Sequence, residues 1–124
     1  MKPSPPSAKT LARYGLSAEE WLAILERQFG VCAVCGRLPN PPKPRLLKSG
    51  EVRQLGPQFN IDHDHIKGFK KLPPEKRKQH VRGVVCHYCN RFLLARITLL
   101  KAEAVVAYLT AHNERLLNKA MGAP

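Results

Sequence analysis

Apolar residues recur at helical spacing in three stretches of this chain and gather into two short strand-like runs between them. Trp21, Leu22, Ile24, Leu25 and Phe29 fall on one face of a helix. Ser17 and Glu20 have the S-x-x-E spacing of a capping box, and Gly30 closes the segment. FNID (59–62) and VRGVVC (81–86) read as strands, the second rich in β-branched valine. From Cys89 or Asn90 the pattern turns helical through Phe92, Leu93, Leu94 and Ile97. A last helix from about Thr98 or Leu99 puts Leu100, Val105, Val106, Leu109, Leu116 and Leu117 on its buried side, and Phe92 and Leu93 read as core as well.

The connecting segments are polar and proline-rich. In residues 37–58 the prolines exclude regular structure at first, and Leu46, Leu47 and Val52 around Lys48-Ser49-Gly50 predict a short hairpin. Residues 66–79, IKGFKKLPPEKRKQ, read as a basic loop with a double proline. The order is helix, cysteine knuckle, loop, strand, long loop, strand, cysteine knuckle, helix, helix, which is an α+β class. Residues 1–10 are expected as a flexible basic leader and 11–120 as a single domain.

Composition sharpens this picture in two ways. A chain of 124 residues rich in proline and glycine buries only a modest core, so a staple beyond apolar packing is expected. Lysine and arginine number 21 against 9 acidic residues, a formal charge of +12 that favours a polyanionic partner, foremost nucleic acid. No apolar run is long enough for a membrane span, and no apolar core follows the basic N-terminus as in a signal peptide. A cytoplasmic, reducing setting is therefore expected, in which four cysteines serve as metal ligands sooner than as disulfides.

Those cysteines form two C-x-x-C pairs, Cys32/Cys35 and Cys86/Cys89. Each spacing lets two thiolates reach one tetrahedral ion, and two pairs close a structural Zn²⁺ site with no open position. Four metal-free buried thiols, disulfides or a redox pair are the alternatives, the last weakened because no β-α-β pattern surrounds either motif. His87, inside the second knuckle, is a surplus candidate ligand or a surface residue.

The run Asp62-His63-Asp64-His65 ends the first strand, and the second strand leads through the second knuckle to Asn90. An antiparallel pair followed by a helix, clamped by zinc, brings Asp62, His63 and Asn90 into one site. A carboxylate and an amide carbonyl are hard oxygen donors suited to Mg²⁺, and a neutral imidazole is a general base. Successive strand residues point to opposite faces, so a shared site requires a bend or bulge at Asp62–His63. Without that convergence the same four residues are a solvated loop or a second metal site.

The stretches YGLSAEEW, CAVCG, IDHDH and VRGVVCHYCNRFL, in this order over about residues 13–110, resemble the recombination endonuclease VII family, a branch of the HNH (ββα-metal, His-Me finger) nucleases common in phages. The resemblance implies a small zinc-stapled ββα-metal core with flanking N- and C-terminal helices. It implies structural zinc on Cys32, Cys35, Cys86 and Cys89, a catalytic Mg²⁺ or Mn²⁺ on Asp62 and Asn90, His63 as general base and His65 at the scissile phosphate. DNA is the implied substrate. His87 departs from the small polar residue usual at its position. Only one helix follows the motifs, so a general nicking or double-strand endonuclease, monomer or homodimer, is expected ahead of an interlocked junction-resolving dimer.

Lys67, Lys70, Lys71, Lys76, Arg77 and Lys78 of the basic loop, with Arg82, Arg91 and Arg96, are candidate phosphate contacts. Two other readings compete: a zinc-stabilised DNA-binding module without catalysis, and a nuclease active only with phage packaging proteins.

Overall fold

The computed structural model describes residues 2–122. Its elements are helices α1 (Ala8–Arg13) and α2 (Ala18–Arg27), strands β1 (Arg45–Leu46), β2 (Val52–Arg53) and β3 (Asn60–His63), a 3₁₀ turn Phe69–Lys71, helix α3 (Pro74–Lys78), strand β4 (Val81–Val85), a π-helical turn Cys89–Leu94 and helix α4 (Leu99–Ala120). The strands form two separate antiparallel pairs, β1 with β2 and β3 with β4. The fold is thus mixed helix and small sheets, with helices on either side of the longer hairpin in sequence.

Local chemistry accounts for the boundaries. Ser17 Oγ accepts from the Glu20 N–H, and Glu20 Oε1 accepts from the Ser17 N–H, so both halves of the predicted capping box start α2. Thr98 caps α4 by accepting from the Lys101 N–H. The short hairpin expected around Lys48-Ser49-Gly50 is present as β1–β2, with Leu46 opposite Val52.

The core lies where α1 and α2 meet β3–β4 and the two cysteine knuckles. It comprises Leu11, Leu16, Trp21, Ile24, Leu25, Phe59, Ile61, Val84 and Val85 together with Cys32 and Cys89. Trp21 is 0% exposed and sits centrally among the large side chains.

Gln28 ties α2 to the hairpin. Its Nε2 donates to the carbonyls of Val84 (2.8 Å) and Val31 (3.0 Å), and its Oε1 accepts from the Val84 N–H (3.0 Å). One side-chain amide therefore serves both backbone groups of a buried valine, in the manner of a neighbouring strand. The absence of a Cβ at Gly83 makes room for it, since a Cβ there would stand 2.7 Å from that same oxygen. Gln28→Ala is expected to cost about 1–3 kcal/mol, because the buried Val84 N–H loses its partner while the Val84 carbonyl keeps the Ala33 N–H. A fall in the urea midpoint at unchanged m-value is the check.

Several expectations need correction. α2 ends at Arg27, earlier than Gly30; Phe29 leaves it with φ 59° and is 93% exposed, and Leu22 is exposed too. Leu100, Val105, Val106, Leu109, Leu116 and Leu117 are all exposed, and α4 buries none of its residues among the described ones. Phe92 and Leu93 lie on the surface, Phe92 at 65%. An amphipathic pattern states which face would be covered, not that this chain supplies the cover.

The basic loop holds α3, with the second proline at its first turn, where a missing N–H costs nothing. The segment expected as a flexible leader runs into α1 and is hydrogen-bonded: the Ser4 N–H donates to the Pro57 carbonyl and Ser4 Oγ accepts from the Gly56 N–H.

Candidate functional site

Two clusters of chemistry-bearing residues flank the β3–β4 hairpin. In the first, one ligand atom from each of Cys32, Cys35, Cys86 and Cys89 lies within 4.8 Å of the others. A tetrahedral zinc site with bonds of about 2.3 Å places its sulfurs about 3.8 Å apart. The Cys35 and Cys86 sulfurs are 3.8 Å apart. Backbone N–H groups already point at the sulfurs: Cys86 and Val34 donate to Cys32 Sγ, and Cys89 donates to Cys86 Sγ.

Burial pushes the Cys32 thiol up, but the N–H groups of Cys35, Cys86 and Val34 outweigh it and bring the group down to about 7. Burial, with the adjoining sulfurs, pushes Cys89 up to about 12. One thiolate thus forms readily and the next resists. A divalent cation among them removes that conflict, so the cluster fits a thiophilic ion such as zinc. His87, exposed in the same knuckle, is not one of the four converging ligands. The first knuckle is bound to the hairpin by the Ala33 N–H, which donates to the Val84 carbonyl.

The second cluster grows out of an irregularity in the hairpin. Asn60, Ile61 and Asp62 face Val85, Val84 and Gly83 in order, then His63 faces Val81. The ladder breaks between Asp62 and His63, where the sequence predicts a bend or bulge. The surplus residue is on the opposite strand and is Arg82.

From that position Arg82 grips Asp62 with both prongs, Nε to Oδ2 at 2.7 Å and Nη2 to Oδ1 at 2.8 Å. Asp62 is 4% exposed, and a buried carboxylate requires such a partner. Hydrogen bonding to Asp62 drives the guanidinium above its ordinary value, against the opposing effect of its own burial. Arg82, expected as a phosphate contact, is in this structure the cation of Asp62.

Asp64 sits beyond it, accepting from or bridging to His80 Nδ1 (3.1 Å) and lying 3.9 Å from Arg82 Nε. His80, Asp64, Arg82 and Asp62 thus form a chain of polar contacts at the end of the hairpin.

His63 turns the other way. Its Nδ1 lies 3.0 Å from the Asp64 carbonyl oxygen. A carbonyl only accepts, so Nδ1 carries the proton of the neutral ring and Nε2 is left with a free lone pair. The ring stacks on Phe69 (centroids 4.0 Å apart, 14° between planes), with His65 at 5.0 Å and Tyr14 at 5.6 Å. Lys67, Lys70 and Lys71 line the same recess as His63 and His65.

Arg91 and Arg96 do not; they line a separate shallow cleft with Phe92 and Lys101. Lys78 is paired with Glu20 of α2. Asn90 is half-buried, directly follows Cys89 and donates its backbone N–H to the Cys86 carbonyl. Tyr14, Gln28, Phe69 and His80 escaped the sequence reading. A lone phenylalanine in an otherwise basic loop was the available signal for Phe69.

Comparison with known proteins agrees with the motif order. The profile of the family described as recombination endonuclease VII matches residues 7–111. The chain is 33% identical over 103 residues to the Gene 59 protein of Mycobacterium phage D29, covering 82% of this chain and 47% of that protein. It is 33% identical over 86 residues to the Gene 59 protein of Mycobacterium phage L5, covering 69% of this chain and 37% of that protein. The chain therefore spans less than half the length of these relatives. No solved structure matches it significantly. Among the described residues, no helix is long and apolar enough to cross a membrane.

Proposed function

This chain belongs to the recombination endonuclease VII family, and we propose that it is a divalent-metal-dependent DNA endonuclease of HNH (ββα-metal) type, hydrolysing phosphodiester bonds to 5′-phosphate and 3′-hydroxyl ends. The observation that carries this reading is the broken ladder at Asp62–His63. At that break a buried carboxylate is held on a cation and the next residue, an imidazole, lines a basic recess.

The donor set suits a hard cation. Asp62 is a buried carboxylate already bound by positive charge, with Arg82 standing in for an ion, and Asn90 offers an amide oxygen at the start of the turn after the second knuckle. Asp62 and Asn90 would hold Mg²⁺ or Mn²⁺, which when bound supplies positive charge to the crowded phosphate of the transition state. Arg82 must give up at least one of its two bonds to Asp62 for this. It is then freed toward the DNA backbone, which reconciles its present pairing with the phosphate role expected of it.

His63 acts as general base through Nε2, taking a proton from the attacking water as the new O–P bond forms; the bond to the 3′ oxygen breaks, and that oxygen leaves as an alkoxide that takes a proton from solvent. The Asp64 carbonyl holds the proton on Nδ1, and the Phe69 stack fixes the ring plane. His65, whose ring centroid lies 5.0 Å from that of His63, contacts the scissile phosphate, and Lys67, Lys70 and Lys71 hold the strand beside it. Zinc on the four cysteines is structural; with all four positions taken by sulfur, it has no place for water.

The test is a plasmid-nicking assay with Mg²⁺ or Mn²⁺ added in turn. The expected product is nicked or linear DNA whose ends a ligase reseals without prior phosphorylation, and none without added metal. A wild-type protein that binds the plasmid and never cuts it under any divalent ion rejects the proposal in favour of a zinc-stabilised DNA-binding module. Activity appearing only with a packaging protein present would favour the partner-dependent nuclease.

A further inference from the structure

The recess beside His63 is larger and more aromatic than a phosphate contact needs. Its volume is about 660 Å³, within the range of about 300–1,000 Å³ typical of ligand pockets. Four rings reach it: Tyr14, His63, His65 and Phe69. They are mutually braced, with Tyr14 5.6 Å from His63 and 6.3 Å from Phe69, and Phe69 stacked on His63.

Five cations surround these rings, Arg13, Lys67, Lys70, Lys71 and Arg77, and no acidic side chain lines the recess. Arg77 joins the two walls. Its Nη1 donates to the Arg13 carbonyl at the end of α1 (2.9 Å) and its Nη2 to the Lys70 carbonyl (2.6 Å), with the guanidinium 5.9 Å from the Phe69 centroid. The cavity is thus held open by protein contacts before any ligand arrives.

We infer that this recess seats one unpaired nucleotide of the DNA strand next to the bond presented to His63, its base against the Tyr14–Phe69 rings and its phosphates against the surrounding lysines and arginines. A planar anion uses both features of the lining. Duplex DNA uses one, because base faces inside a helix are already stacked and only phosphates remain for the rim. An aromatic wall thus has work to do only on a base that has left the stack. The inference rests on the nuclease reading for its orientation toward the scissile bond, but its test needs no cleavage.

The experiment measures binding of wild-type protein, with no divalent metal added, to a five-residue thymidine oligonucleotide and to an abasic five-residue strand of equal charge. Loss of one stacked base predicts about 5–150-fold weaker binding of the abasic strand. Tyr14→Leu is expected to bring that ratio close to one and Tyr14→Phe to preserve it, each with its melting temperature recorded. If Tyr14→Leu does not fold, the wild-type ratio and the Tyr14→Phe ratio decide by themselves.

Equal binding of the two strands by wild-type protein overturns the inference and leaves a plain phosphate site. A phosphorylated peptide of matched charge that binds as tightly as the thymidine strand overturns it in favour of a protein partner. A clear base preference in a protein that nicks nothing would keep the recess and remove the nuclease reading instead.

Discussion

Stripping metal from the four-cysteine cluster, or replacing Cys89 with serine, is expected to unfold the domain and not merely to slow it. Structural zinc contributes on the order of 10 kcal/mol in small zinc domains. That is comparable to the whole stability of a typical domain, about 5–15 kcal/mol. Here the ion would sit at the edge of the core, since Cys32 and Cys89 are members of it while Cys35 is exposed, and it would join two knuckles 51 residues apart in sequence at Cys35 and Cys86. Without it the first knuckle is held to the hairpin by the Ala33, Gln28 and Cys86–Cys32 hydrogen bonds and the burial of Cys32. The single tryptophan, Trp21, is fully buried in that core and reports the change directly. Its emission should shift to the red on treatment with a strong chelator and return on adding Zn²⁺, and elemental analysis should find one zinc per chain. A chelated protein that is zinc-free and keeps its emission and its cooperative melt would show that apolar packing suffices.

His63→Ala is expected to lower the nicking rate by about 10²–10⁴-fold, the usual contribution of a positioned general base. Stability should fall only slightly, because the half-buried ring gives up one aromatic stack on Phe69, worth about 0.5–1.5 kcal/mol. DNA affinity should be nearly unchanged, as the cations of the recess remain. Exogenous imidazole should restore part of the rate, since removal of the ring leaves a gap beside an open recess. Asp62→Asn makes the informative contrast. It weakens the Arg82 pair and the cation site together, so its lost activity should not respond to imidazole. Equal cutting by wild type and His63→Ala would dismiss His63 as the base and leave the metal ligands as the only candidates for the chemistry.

Much of the site was legible because it is written in residue type at fixed spacing. Two C-x-x-C pairs with no cysteine left over state a four-sulfur cluster before any fold is known, and the cluster is there. The break in the ladder at Asp62–His63 followed from period-two alternation alone: neighbours on a regular strand diverge, so cooperation demands an extra residue somewhere. That the extra residue is Arg82, and that its guanidinium clamps Asp62, could not be read in the same way. It depends on which strand absorbs the insertion. Tyr14, Phe69 and Gln28 were hidden for a related reason, since each acts across 49 residues or more or from an unpatterned loop: Tyr14 on His63, Phe69 on His63 from the 3₁₀ turn, and Gln28 on Val84.

The fate of α4 shows the limit most plainly. Its apolar spacing resembles that of α2, yet α2 is covered and α4 is not. The sequence by itself determined α2 with its capping box, the strands of both hairpins, α4, the metal-binding spacing and the acid–histidine run, because hydrogen bonding and covalent reach act over a few residues, but it did not show α1 or α3. The tertiary structure alone decided which apolar faces meet, which strand carries the bulge and which rings wall the recess. Those outcomes turn on contacts between segments far apart in the chain, where local preference has no say.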